Sequence, residues 1–278
     1  MSNFDEIKEL VESYENYLVQ SYYSLWESIE IEPDKLEAYS VIGGLLSRQI
    51  TLSIELARSP NTWNGHSAPL FLRAMTDLCI AIGWILGDID ERSKKYIMHG
   101  LGDEKLLMEL YEQEIQSNPN SSNIEEMQQW VEMKSKWINS QRRDWAVEVN
   151  LGNWANLDYR SMATEASLES LYKFAYKPFS HVAHNMWPHV SRYNCKVCEN
   201  PLHQYHLVPV LYDFELDADY LYRSCKYVHR VYEALIKRFD LKHTFPLPID
   251  WWHEYFKSNT DTGAENASDN EPQGKASI

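Results

Sequence analysis

The fold class is decided first by residues 4–29, FDEIKELVESYENYLVQSYYSLWESI. Large apolar side chains recur there at steps of three and four residues, which places them on one face of an α-helix. They are Ile7, Leu10, Val11, Tyr14, Leu18, Tyr22 and Leu25. The stretch therefore predicts a long amphipathic helix that ends before Pro33.

The same periodicity continues along most of the chain. It predicts further helices over about 35–58, 67–86, 91–115, 124–138, 164–187 and 213–239. No alternating run is long enough to predict a strand. We therefore expect an all-α fold, with a single bundle-like domain of several helices over residues 1–257. Residues 258–278 are polar, with four acidic residues against one lysine and almost no large apolar side chain, and they predict a disordered acidic C-terminal tail.

The composition excludes several classes of protein. The 278 residues carry 26 basic and 41 acidic side chains, and this net charge of −15 argues against general DNA binding and against an anionic membrane partner. The N-terminus lacks the basic and apolar regions of a signal peptide, and four cysteines suggest reduced thiols, so we expect a cytoplasmic protein. The most apolar stretch, 70–86, contains Arg73 and Asp77 and is interpreted as a buried helix.

Polar residues on two apolar helices form the main candidate site. Tyr176, Ser180 and His184 follow one another at steps of four, which puts them on one face of a continuous helix. Arg73 and Asp77 are also one turn apart. Buried polar groups need partners. The five residues therefore predict either a polar pocket for a small anionic ligand or nucleotide end, or an ion pair with a network that joins helices.

The segment Cys195-x2-Cys198-x4-His203-x2-His206 is a candidate metal site. Two thiolates and two imidazoles could complete the tetrahedron around a Zn²⁺ ion. Four protein ligands would leave no open position, so such a zinc ion would be structural. The alternative is a loop without metal, and the sequence predicts no other cofactor.

Arg223 and His229 offer a different chemistry. The spacing is similar to a loose arginine–histidine pattern of the HEPN (higher-eukaryote and prokaryote nucleotide-binding) class of helical ribonucleases. That resemblance implies an arginine that holds phosphate and a histidine that acts as acid or base. Ser224 stands where that class usually has asparagine, aspartate or histidine. The pair predicts a metal-independent ribonuclease as an alternative function.

Four short motifs resemble a known protein family. They are Arg73-Ala-Met-Thr-Asp77, Gly83-Trp84, Tyr176-Lys-Pro-Phe-Ser180-His-Val-Ala-His184 and Asn200-Pro-Leu-His203. They resemble the bacterial family of unknown function numbered 5677, over about residues 35–240. The resemblance implies a helical cytoplasmic protein, although members usually have glutamate where Asp77 stands. It implies no activity; some helical families of this kind are suspected in phage defence or toxin–antitoxin systems.

Three functional hypotheses follow. The first is a binding module with a polar Arg/Asp/Tyr/Ser/His pocket, and the second is a HEPN-like ribonuclease acting in phage defence or a toxin–antitoxin system. The third is a protein-interaction module stiffened by zinc. The expected partners are a small anionic ligand or RNA, with a homodimer as one expected assembly. The sequence identifies no catalytic residue and leaves open whether the protein is an enzyme.

Overall fold

The chain folds almost entirely into helices. The computed structural model describes residues 3–141, 154–212 and 214–268, with the side chains of 3 and 259–268 left aside. The helices are α1 (Asn3–Glu27), α2 (Leu36–Ala57), α3 (Ala68–Ile85), α4 (Ile89–Ser117), α5 (Ile124–Gln141), α6 (Tyr159–Glu165), α7 (Glu169–Leu171), α8 (Lys177–Ala183), α9 (Trp187–Tyr193), α10 (Asp219–Phe239) and α11 (Pro248–Ser268). In these ranges the only sheet pairs β1 (Cys195–Val197) with β2 (Leu207–Pro209). The predicted all-α class is confirmed.

The chain divides into two compact units. The first unit comprises Met1–Glu30, Ser47–Cys79 and Ala175–Ile278, and the second comprises Ile31–Leu46 and Ile80–Phe174. The single domain expected over 1–257 stays a prediction.

The core of the first unit is organised around α10. The buried side chains of α10 recur at steps of three and four residues, the pattern of one helical face. They include Leu221, Cys225, Val228, Val231, Tyr232 and Leu235. Hydroxyl groups inside this core bond to one another, with Tyr14 Oη 2.9 Å from Ser53 Oγ and Ser53 Oγ 3.0 Å from Ser224 Oγ. Side chains of α1, α2 and α10 thus satisfy one another's buried polar groups.

In the second unit, α4 and α5 form a helical hairpin joined by a short connection. The rings of Tyr111 and Trp130 stack with their centroids 4.3 Å apart, and Lys134 pairs with Glu104 at 2.6 Å. The glycines Gly100 and Gly102, which could interrupt a helix, lie inside α4 without a break. A helical glycine costs only about 1 kcal/mol, and the packing of α4 on α5 outweighs that cost.

The single helix predicted over 164–187 is wrong, because the chain is interrupted there. It contains α6, α7, a π-helical turn (Tyr172–Tyr176) and α8. Ser167 adopts a left-handed conformation after α6 and Asn185 does so after α8, with φ of 57° and 51°. Left-handed residues end helices. Pro178 lies in the first turn of α8, where its missing N–H costs nothing, rather than at a kink.

The segment predicted as a disordered tail begins within α11. The helix extends to Ser268, so the backbone of 258–268 is helical, and the buried Trp252 anchors the first turns of this helix. Residues 269–278 lie outside the described residues, and disorder there stays a prediction.

The predicted apolar helix over 70–86 corresponds to α3. By length and composition alone α3 could cross a membrane, but 61% of that window is buried inside the chain. This burial is what a core helix shows.

Candidate functional site

Four of the five residues predicted for the polar pocket come together in the first unit. The Arg73 guanidinium on α3 forms an ion pair with Asp77 and donates from Nε to Ser180 Oγ on α8, at 2.8 Å. The face of the guanidinium lies on the Tyr176 ring, with Cζ 3.4 Å from the ring centroid. We call Arg73, Asp77, Tyr176 and Ser180 the arginine cluster. The structure therefore shows the ion pair and the network that joins helices.

The arginine cluster follows from helix geometry on both sides. Arg73 and Asp77 are neighbours on α3 because they are four residues apart. On the other side, Ser180 Oγ donates to the Tyr176 carbonyl at 2.9 Å and accepts from the guanidinium. The Ser180 hydroxyl group thus connects the Arg73 guanidinium on α3 with the Tyr176 carbonyl just before α8.

The cluster is mostly shielded from solvent. The side chain of Arg73 is 14% exposed and that of Asp77 is 29% exposed. Burial raises the pKa of the Asp77 carboxyl, and the hydrogen bond and charge of Arg73 oppose that rise. Asp77 Oδ1 is buried and has no hydrogen-bond partner within the described residues. Arg73 thus already contacts three side chains of its own chain, Asp77, Ser180 and Tyr176.

His184 does not join the arginine cluster. It is the residue at which α8 ends, and its backbone N–H donates to the Ser180 carbonyl at 3.0 Å. Its side chain is exposed. The predicted stripe of polar residues therefore stops at Ser180, because the helix ends one turn later.

A cavity of about 400 Å³ lies at the start of α3, in the first unit. It is lined by Pro60, Asn61, Trp63, Asn64, His66, Ser67, Tyr212, Phe214 and Leu216. The described lining combines aromatic rings with amide, hydroxyl and imidazole groups. Sites for small molecules commonly enclose about 300–1,000 Å³. We call this the His66 cavity; the sequence did not single it out.

An aromatic cluster supports one wall of the His66 cavity. The ring centroid of His66 lies 4.8 Å from that of Phe214 and 5.5 Å from those of His189 and Tyr193. His189 in turn stacks on Tyr193 at 4.8 Å. Burial lowers the pKa of His189, and the neighbouring His66 lowers it further, so the neutral imidazole is favoured. A Cβ at Gly65 would lie 2.9 Å from Tyr193 Cζ, so this close approach requires glycine.

Hydrogen bonds fix the backbone around the His66 cavity. Trp63 is fully buried, and its indole N–H donates to a backbone carbonyl of α2 at 2.7 Å. Asn64 Oδ1 accepts from the backbone N–H groups of His66 at 2.9 Å and Ser67 at 3.1 Å. The Asp217 N–H donates to the Trp63 carbonyl at 2.9 Å, which holds the segment before α10 against the cavity floor. A site whose backbone is already ordered loses less entropy on binding.

The Cys/His segment, expected as a loop, forms a hairpin that brings three of its four candidate ligands together. Beyond the last residue pair of β1 and β2, the Cys198 N–H donates to the His206 carbonyl at 2.9 Å. The ligand atoms of Cys198, His203 and His206 lie within 4.8 Å of one another. Cys195 does not belong to this group. It begins β1, whereas Cys198 follows the last residue of that strand, and a separation of three residues in extended backbone directs side chains to opposite sides.

Arg223 and His229 on α10 have separate partners. Arg223, 45% exposed, donates from Nε to Asp219 at 2.6 Å. His229 Nδ1 accepts from the Ile249 N–H at 3.3 Å, and Nε2 lies 3.5 Å from a Glu233 oxygen. Six helical residues turn the two side chains about 120° apart. This geometry does not bring the pair to one point, and a ribonuclease site here stays a prediction.

The Gly83–Trp84 motif lies in the second unit and packs around a carboxylate. Trp84 Nε1 donates to Glu165 Oε2 at 2.6 Å, and Arg92 pairs with the same oxygen at 3.1 Å. Arg92 Cζ also lies 4.1 Å from the centroid of the Trp84 ring. A Cβ at Gly83 would lie 2.9 Å from Leu168 Cδ1. Close packing thus explains both residues of the motif.

The comparisons with known proteins give one match. A family model described as "Family of unknown function (DUF5677)" matches residues 39–200, which is more than half of the 278 residues. This range includes the arginine cluster and His66, whereas His203, His206 and Phe214 lie beyond its end. No curated protein and no solved structure gives a significant match. By the length of the matched range, and with the four motifs inside or at its edge, the chain belongs to the family of unknown function DUF5677.

Proposed function

We propose that this protein is a helical binding module whose His66 cavity takes a small ligand with a flat ring and polar edges, a nucleoside or nucleotide. The observation that carries the proposal is the lining of the cavity. Aromatic rings and uncharged hydrogen-bonding groups surround a volume of about 400 Å³. Concave sites that combine aromatic rings with a small number of hydrogen-bonding groups are typical of small-molecule binding.

The aromatic lining favours a planar ligand. Phe214 and Tyr212 stand at the side of the cavity, with their ring centroids 5.8 Å apart, and Tyr212 is 43% exposed. Such rings gain contact area when a flat ring packs against them. The side chains of Asn61 and Ser67 add donors and acceptors for the polar edges of that ring.

The helix end beside the cavity favours an anionic or neutral ligand over a cation. None of the nine described lining residues is acidic, although Glu215 and Asp217 adjoin them in the sequence. The cavity also lies at the N-terminal end of α3, where the helix dipole is positive. A phosphate group attached to the ring would therefore meet a favourable potential.

The arginine cluster acts in this proposal as a positioning element. It ties α8 to α3, and only three residues separate α8 from α9. The helix α9 carries His189 and Tyr193, whose rings contact His66. The cluster thus fixes the helix pair that supports the cavity wall, while the ligand contacts are made elsewhere.

The experiment is a calorimetric titration with adenosine, AMP, ATP, guanosine and GTP. We expect saturable binding of at least one of them and at least tenfold weaker binding by Phe214→Ala, equivalent to about 1.4 kcal/mol. Phe174→Ala is the matched control, because that phenylalanine is 81% exposed and belongs to the second unit. Absence of binding by all five compounds, or equal binding by wild type and Phe214→Ala, would contradict the proposal.

A further inference from the structure

We propose that the tip of the hairpin is a Zn²⁺ site with three protein ligands, Cys198, His203 and His206, and an open fourth position. This site is separate from the His66 cavity and does not depend on the function proposed for it. The motivating observation is one thiol and two imidazoles whose ligand atoms lie within 4.8 Å of one another.

The distances fit a tetrahedral zinc ion. Bond lengths of about 2.3 Å to sulfur and about 2.0–2.1 Å to nitrogen place S and N ligands about 3.6 Å apart across a tetrahedral angle. Cys198 Sγ lies 3.7 Å from His203 Nδ1. The remaining separations, at most 4.8 Å, need to shorten by up to about 1.4 Å, which rotation of exposed side chains supplies.

The backbone already holds the three residues in place. The Cys198 N–H donates to the His206 carbonyl, and the His206 N–H donates to the His203 carbonyl, at 2.9 and 3.2 Å. The His203 N–H donates to the Asn200 carbonyl at 3.0 Å, and the Asn200 amide nitrogen lies 3.2 Å from His203 Nε2. Tyr205, between the two histidines, has a left-handed φ of 60°, which turns His206 back toward the strand. The frame therefore needs little reorganisation to bind an ion.

The donor atoms select the class of metal. A thiolate with two imidazoles suits zinc, whereas magnesium and calcium require oxygen ligands. The neighbouring Glu199 is engaged with Lys196 at 2.9 Å, so its carboxylate is held away from the ion. Coordination requires the thiolate, so binding releases the Cys198 thiol proton to solvent, and no oxidation or reduction takes place.

The position of Cys195 makes the site open. The sequence predicts a closed site of four ligands, but the ligand atoms that come together are those of Cys198, His203 and His206, without Cys195. The extended backbone from Cys195 to Cys198 directs side chains three residues apart to opposite sides. A zinc ion held by three protein ligands keeps a fourth position for water or for a ligand atom from another molecule. The consequence is testable, because the two cysteines should behave differently.

The test uses the full chain purified without a histidine tag. Zinc content is measured after the chain has been loaded with Zn²⁺ and freed of excess metal, and zinc affinity is measured after a chelator has stripped the metal. We expect one Zn²⁺ per chain by elemental analysis, and at least tenfold weaker binding for Cys198→Ser and for His206→Ala in competition with a chromophoric chelator. Cys195→Ser and His243→Ala are the controls, and each should bind like the wild type. His243 is exposed and distant from the hairpin in sequence.

Cobalt substitution provides a second measurement that does not depend on affinity. The near-ultraviolet charge-transfer band should have the intensity of one cobalt–thiolate bond and should persist in Cys195→Ser. A band of doubled intensity, halved by Cys195→Ser, would overturn the open position, because it would place both cysteines on the metal. Absence of stoichiometric zinc in wild type with native circular dichroism would overturn the site itself.

Discussion

Replacing Arg73 with methionine tests whether the arginine cluster stabilises the folded chain or serves to bind a ligand. Methionine keeps much of the length of the side chain and removes its charge. The change removes the donor to Ser180 at 2.8 Å, the stacking on Tyr176 and the counter-charge of Asp77. We expect the free energy of unfolding to fall, and the loss can be estimated from these contacts.

The expected loss is about 3 kcal/mol. A hydrogen bond from a charged group contributes about 1.5–3 kcal/mol, and a partly desolvated cation–π contact adds about 1 kcal/mol. Removing one partner of a buried ion pair costs about 3–5 kcal/mol. The lower end of that range applies because Arg73 is 14% exposed and Asp77 is 29% exposed. Arg73→Met together with Asp77→Leu should cost less than the single change, because no unpaired carboxylate then remains.

The single variant should also acquire a distinctive pH dependence. Burial already raises the pKa of Asp77, and loss of Arg73 removes the groups that oppose the rise. An acid with a raised pKa binds its proton more tightly in the folded state, so the stability of Arg73→Met should fall as the pH rises above about 4. The double variant lacks the carboxyl and should lose this slope.

The assay is urea-induced unfolding followed by circular dichroism, at several pH values. Arg58→Met is the control within the same unit, because Arg58 is 52% exposed and exposed ion pairs contribute about 0–1 kcal/mol. If Arg73→Met costs no more than Arg58→Met, or stabilises the protein, the reasoning fails. That result would indicate that the Arg73 guanidinium serves to bind a ligand and contributes little to the stability of the fold.

Three further predictions follow from the described contacts. Gly65→Ala should destabilise the protein by about 1–2 kcal/mol in urea unfolding, because the added Cβ would meet the Tyr193 ring. Gly44→Ala is the control; an added Cβ there has nothing within 4 Å, and the variant should be more stable by about 0.5–1 kcal/mol. The lowered pKa of His189 means that the unfolded chain binds a proton first as the pH falls. Stability should therefore decline below about pH 6.5, and a His189→Phe variant should decline less steeply. Expression of the protein in cells should leave total RNA intact on gels. His229→Ala should only lower the free energy of unfolding, by about 0.5–1.5 kcal/mol, because it removes the acceptor of the Ile249 N–H in the first turn of α11. RNA breakdown abolished by that variant would instead establish the ribonuclease.

The helices were predictable where one apolar face decides them. Of the periodic residues predicted for α1, Leu10, Tyr14, Leu18 and Leu25 are buried and Ile7, Val11 and Tyr22 are half-buried, because one face of an amphipathic helix recurs at steps of three and four residues. The breaks within 164–187 were not predictable in that way. They depend on Ser167 and Asn185 adopting left-handed backbone conformations, which polar residues do in some contexts and not in others.

The candidate sites were likewise predictable only where the contact is local in the sequence. Arg73 and Asp77 could be paired from the sequence because the contact lies within one helix turn. The His66 cavity could not, since its lining comes from 60–67 and 212–216 and its wall from α9, and no spacing in the chain relates those segments.

The two cysteines show why spacing alone can mislead. A separation of three residues places Cys195 and Cys198 together on a helical turn, where both could bind one ion. On an extended strand the same separation places them on opposite faces. The pairing of β1 with β2 keeps the backbone extended up to the residue before Cys198, which favours the extended arrangement over the helical turn. The ligand atoms of His203 and His206 come close to that of Cys198 and not to that of Cys195. The local backbone, more than the identity of the four residues, thus decides whether a zinc ion here would be enclosed or open to a fourth ligand.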